Sequence, residues 1–238
     1  MSNAPHSPET LTFIAQVAHT YASLMHFASP DSAPSLGGKL LYAGELDEPG
    51  RILATAGNIS GAATLAASAN ATTLRHAMRN GTIDFVVNSL DEALRILKNE
   101  IRKHEPVSVA VSLAPEAIVN DMLDRGVLPD LLPPHQASAT ESSLATFITQ
   151  GAQRLTAATS QPTRKFLIWQ IPAEYAQRPA AFEEILARHL PLHDHVTHRW
   201  LRQSPRYLGP HARRLRSLTC DEETASKLIK LFGSPLNL

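Results

Sequence analysis

From residue 39 onward, short apolar runs alternate with segments of helical periodicity, and this alternation is the feature that most constrains the fold. Strands are expected at 39–43, 62–67, 83–87, 107–113, 128–132 and 166–171. Each of the first five is followed by a helix-like segment, at about 47–59, 71–80, 90–104, 115–125 and 141–158. The clearest is 90–104. Ser89 stands at its cap, Asp91 and Glu92 near its positive end, and Arg102 and Lys103 near its negative end. Leu90, Ala93, Leu94, Leu97 and Ile101 form its apolar stripe. Such alternation implies parallel βαβ units: an α/β, doubly wound parallel sheet with helices on both faces. Crossovers in such sheets are right-handed, and ligands lie beyond the carboxyl ends of the strands. A site is therefore expected near residues 44–50, 68–70, 88–89, 113–115 and 133–140.

Ahead of this region, Ser7-Pro8-Glu9 marks a helix start, and Leu11, Ile14, Val17, Ala18, Tyr21, Leu24 and Met25 recur at helical spacing. A connector, 29–38, follows. Beyond about 160 the alternation loosens. Helices are expected at 179–190 and 221–232, the second capped by Asp221, with a stretch rich in His, Arg and Pro between them. The expected organisation is an N-terminal helix and connector (1–34), a doubly wound domain (35–175) and a helical Arg/His-rich extension (176–238) packed on it.

Composition narrows the function classes. With 43% hydrophobic residues in 238, the chain can bury a substantial core. Lys and Arg total 22, as do Asp and Glu, and this balance argues against a general nucleic-acid binder. Cys220 is the lone cysteine, which fits a reducing compartment. No apolar run approaches the roughly 18 residues of a membrane helix, and the first residues lack the charge pattern of a secretory signal. A cytoplasmic protein is expected, with a homo-oligomer among its open arrangements.

Several stretches, in order, carry a family resemblance. TFIAQVA (12–18), SLGGKLLYAG (35–44), LDEAL (90–94), RGVLPDLL (125–132) and HQASATE (135–141) together span roughly residues 10–141. They resemble the central dinucleotide-binding region of urocanase, urocanate hydratase. The resemblance implies a Rossmann-like domain. It also implies tightly bound NAD acting as an electrophile while water adds to urocanate. Within HQASATE, Gln136, Ser138 and Ala139 fit the family segment, whereas Thr140 and Glu141 replace its last two residues.

The chain departs from that pattern where phosphate would bind. The family's first turn is dense in glycine, so that backbone N–H groups can approach the diphosphate. Here it reads GELDEPG: Gly44 and Gly50 enclose Glu45, Asp47 and Glu48. Asp47 and Pro49 fit a helix cap and an N-terminal proline. After the second strand, where an NAD site places a carboxylate for the ribose, stand Ser68, Ala69 and Asn70. The family enzyme is also much longer, with a substrate core flanking this domain. NAD is thus a cofactor by resemblance only, and no cofactor is assigned from the residues themselves.

Ligand-binding candidates are Gly44, Glu45, Asp47, Ser68, Asn70, His135, Gln136 and Ser138. His135 has the chemistry of an acid or base near neutral pH, or of a solvated loop histidine. Arg206, Arg213 and Arg214 are anion-binding candidates within an arginine-rich stretch, 199–216, where Trp200 and Tyr207 are interleaved. Its bland alternative is a helical pair whose arginines face water or the acidic helix 179–190. His193, His195 and His198 are weak metal candidates, with His189 and Asp194 nearby. Their spacing matches no standard motif, and no metal is favoured. Three functions follow. The first is a degenerate urocanase-like protein binding a small molecule or a partner chain. The second is a urocanate hydro-lyase completed by another subunit. The third is an unrelated Rossmann-like protein acting on an anionic metabolite.

Overall fold

The structure, a computed structural model, describes residues 7–29, 33–134, 138–156 and 164–236; for 138–140 only the backbone is described. Helix α1 (Pro8–Met25) starts where Ser7 accepts from the Thr10 amide, and it buries its predicted apolar stripe. Then β1 (Leu40–Glu45), α2 (Glu48–Ser60), β2 (Ala63–Ala67), α3 (Ala71–Arg79), β3 (Phe85–Val87), α4 (Leu90–Lys103), β4 (Val107–Val111), α5 (Pro115–Asp124), β5 (Leu131–Leu132), α6 (Ser138–Thr149) and β6 (Gln153–Arg154) follow in turn. The β strands make a six-stranded parallel sheet in the order β3-β4-β2-β1-β5-β6. β1 lies between β2 and β5, so the chain reverses its direction of travel across the sheet at β1.

Period-two alternation sorts the core into two layers. On one face, Leu41, Ala43, Ala66, Ala110 and Leu131 pack with α1, α2 and α3. On the other, Leu40, Tyr42, Leu65, Val109, Val111 and Leu132 meet α4, α5 and α6. α2 lies close against the sheet because Gly57 has no side chain; a Cβ there would come within 2.7 Å of both Leu41 Cδ2 and Thr64 Oγ1. A buried polar link spans the same layer. Asn58 Nδ2 donates to the Thr82 carbonyl at 3.0 Å and to Ser108 Oγ at 3.2 Å, and Asp84 accepts from the Ser108 amide and hydroxyl.

The remainder is β7 (Arg164–Gln170), α7 (Pro179–Arg188), α8 (His195–Tyr207), β8 (Leu215–Asp221) and α9 (Glu222–Phe232). Three expectations change here. The strand expected at 166–171 does not join the parallel sheet; it pairs antiparallel with β8 in a separate two-stranded sheet. The sixth parallel strand is β6, inside the segment expected to be helix to 158. Gly151, at φ +111°, takes the chain out of the helix, and Gln153 and Arg154 then pair with Leu131 and Leu132. The arginine-rich stretch is α8, one short 3-10 turn (Gly209–Ala212) and the first two residues of β8 rather than a helical pair, and with β8 the C-terminal segment is not helical throughout.

Burial also reassigns its aromatic rings. Trp200 is buried and donates its indole N–H to the Ser217 carbonyl at 2.7 Å, and Tyr207 is buried as well. Both rings belong to the core and are not stacking platforms. Arg199 reaches back to the C-terminal end of α2, donating Nε–H to the Ile59 carbonyl at 2.9 Å.

Cys220 is fully buried in β8. Burial, reinforced by the Asp221 carboxylate, pushes its thiol up to about 12. The folded protein is therefore expected to resist a thiol reagent at mildly alkaline pH and to react fully once denatured. Rapid labelling of the native state would contradict this burial.

Candidate functional site

A cavity of about 810 Å³ opens at the carboxyl ends of the parallel strands, where β1 separates β2 from β5. Its volume falls within the range of small-molecule sites. Four of the five regions expected from the strand order contribute to it. Glu45, Asp47 and Gly50 come from the β1–α2 turn, Ala69 follows β2, Pro115 and Glu116 follow β4, and Pro133 and Pro134 follow β5. Residues 88–89 do not line it.

The opposite wall lies outside the expected regions. Gln16, His19, Thr20 and Ser23 of α1 line the cavity, as do Leu155 and Thr156 after β6. The α1 residues have a recognisable signal. They recur at i, i+3, i+4 and i+7, a polar stripe beside the apolar one. A second cavity of about 400 Å³ shares His19, Ser23 and Thr156 with the first and extends toward Phe166 and Trp200.

The β1–α2 turn is built around its own carboxylate. Asp47 is the N-cap of α2, and its Oδ1 accepts from the Gly50 amide at 2.9 Å. Pro49 has no amide hydrogen. The Arg51 amide donates to the Asp47 carbonyl, and the Leu46 amide to the Ala67 carbonyl. Gly44 adopts φ +79°, which suits glycine. Gly50 lies so close to the end of β1 that a Cβ would stand 1.7 Å from the Glu45 carbonyl oxygen.

After β2, Ser68 is fully buried and its Oγ accepts from the Asn70 amide at 3.3 Å. Asn70 caps α3, its Oδ1 accepting from the Thr72 and Thr73 amides. Neither side chain lines the cavity. His135 and Gln136 lie outside the described residues, and Ser138 opens α6 with its side chain undescribed.

A family model for the urocanase Rossmann-like domain matches residues 16–165, more than half of the chain. The chain belongs to the urocanase family. The match runs from within α1 to the start of β7, so this urocanase-family domain includes both walls of the larger cavity. It excludes α7, α8, β8 and α9.

The remaining candidates lie outside this urocanase-type cavity. Arg206, Arg213 and Arg214 are exposed and line neither cavity; the Arg206 guanidinium sits 5.0 Å from the centroid of the Tyr207 ring. The histidine cluster does not converge. His193 is exposed, His195 begins α8, and His198 Nε2 stands 3.2 Å from the Pro191 carbonyl. The Asp194 carboxylate is taken up by Arg164 at 2.7 Å and by the Thr197 amide at 3.0 Å. Among the described residues, no group of three or more His, Cys, Asp or Glu lies together to hold a metal. Nor is any described helix long and apolar enough to cross a membrane.

Proposed function

We propose that this urocanase-family chain is a small-molecule-binding protein whose ligand occupies the larger cavity, and that it does not use NAD. One observation carries the proposal: the Asp47 carboxylate caps α2 where a dinucleotide's diphosphate would need the amides. The Gly50 and Arg51 amides are already bonded, and Pro49 offers none. Glu45 and Asp47 add like charge at the cavity wall. A ribose fares no better, since Ser68 is buried against the backbone and Asn70 is spent as a cap. These residues do not fit the cofactor that the family implies, so no step of hydro-lyase chemistry is derived through it and no catalytic residue is assigned. In this proposal Glu45 and Asp47 face the ligand, whereas Ser68 and Asn70 hold the turns.

Calorimetric titration of the purified chain with NAD is the direct test. No saturable heat is expected up to a concentration on the order of 1 mM, where binding would be worth only about 4 kcal/mol. NAD retained stoichiometrically through purification would overturn the proposal.

A further inference from the structure

We infer that the cavity selects a compact organic cation: an apolar body carrying an amine or similar positive group, held by Glu45 and Glu116. The inference rests on the exclusion of a dinucleotide from this cavity, as proposed above, and adds the chemical class of what takes its place.

The wall carries three carboxylates, Glu45, Asp47 and Glu116, and among the described residues no Lys or Arg lines it. Asp47 is engaged with the Gly50 amide. Glu45 and Glu116 are half-buried and take part in no ion pair among the described residues. They come from different elements, the end of β1 and the first turn of α5, yet both act on one group. The phenol of Tyr42, which donates to the carbonyl of the lining residue Pro115 at 3.4 Å, has its ionisation opposed first by burial and then by the charges of Glu116 and Glu45.

Two helix N-termini also face this space, and in many α/β proteins they would draw an anion. Here each is answered from within the chain. α2 carries Asp47 at its cap and Glu48 in its first turn; α5 carries Glu116 in its first turn. Pro49 and Pro115 each remove an amide donor from those turns. The rest of the lining is largely apolar, with Ile52, Leu53, Leu155, Pro133 and Pro134. An occupant that displaces water leaves the two glutamates desolvated, and a positive group compensates that cost most directly. An anionic occupant adds repulsion to it. His19 lies opposite, on the α1 wall.

The test uses three probes with a common 2-phenylethyl body on the full chain: 2-phenylethylamine, 2-phenylethanol and 3-phenylpropionate. The amine is expected to bind at least about tenfold more tightly than the propionate, a difference of about 1.4 kcal/mol, with the alcohol between them. In the Glu45→Gln, Glu116→Gln double variant the order is expected to collapse while alcohol binding persists. Among the described residues neither glutamate supports another side chain through an ion pair, and an unchanged melting temperature would verify that the variant folds. Equal or tighter binding of the propionate overturns the inference, as does failure of all three probes or an amine preference that survives in the variant. NAD titrated alongside separates the two claims. Bound NAD defeats the functional proposal, whereas loss of the amine preference with NAD still excluded defeats only the cation.

Discussion

Gly50→Ala is expected to destabilise the protein by about 3 kcal/mol, the upper end for forcing an extra methyl into a packed site. The added Cβ would stand 1.7 Å from the Glu45 carbonyl oxygen, which is backbone at the end of a buried strand and has no rotamer to swing away. Relief requires α2 to move off the sheet, against the close seating that Gly57 permits. A control separates this clash from simple backbone preference. Gly81 has φ +73°, and a methyl added there would meet nothing within 4 Å, so Gly81→Ala brings only left-handed strain, about 1 kcal/mol. Chemical denaturation of both variants measures the difference. A Gly50→Ala protein within about 1 kcal/mol of the parent would mean that the β1–α2 turn is looser than described. Gly50 is thus explained by packing, independently of any phosphate.

The second large effect lies in the C-terminal segment. Arg216 is buried in β8, 7% exposed at its side chain, with its guanidinium against Glu183 of α7. Nε donates to Glu183 Oε1 at 2.7 Å, and Nη1 donates to the Ala212 and Leu215 carbonyls. Glu183→Ala leaves that charge desolvated with carbonyl partners only, at an expected cost of about 3 kcal/mol. Replacing both partners, Arg216→Met with Glu183→Leu, is expected to recover most of the loss, because an apolar pair carries no desolvation penalty. Equilibrium unfolding of the two variants checks both halves. A single variant as stable as the parent, or a double variant no better than the single, would refute this account of the pair.

Legibility in the sequence follows the range of the interactions concerned. α4 is legible throughout because its cap, charges and apolar stripe are all local. Ser89 does cap it, accepting from the Glu92 amide, and Leu90, Ala93 and Leu97 are buried. Asp47 is legible as a cap for the same reason. β8 is not, because its partner β7 lies some fifty residues earlier and an arginine at its second position hides its apolar character until Glu183 is placed beside it. Trp200 and Tyr207 resemble exposed rings among arginines until the fold buries them. β6, two residues long, has no periodicity to detect.

The sequence by itself determined the succession of strands and helices as far as α6, the alternation that divides the core into two layers, and the end of the sheet where a ligand belongs. Those follow from periodicity and capping, which act over a few residues. Only the tertiary structure decided that β1 stands between β2 and β5, that α1 walls the cavity with its polar stripe, and that Glu45 and Glu116 line the same space with no Lys or Arg among the described lining residues. These depend on contacts between residues far apart in the chain, and no local pattern encodes which of them meet.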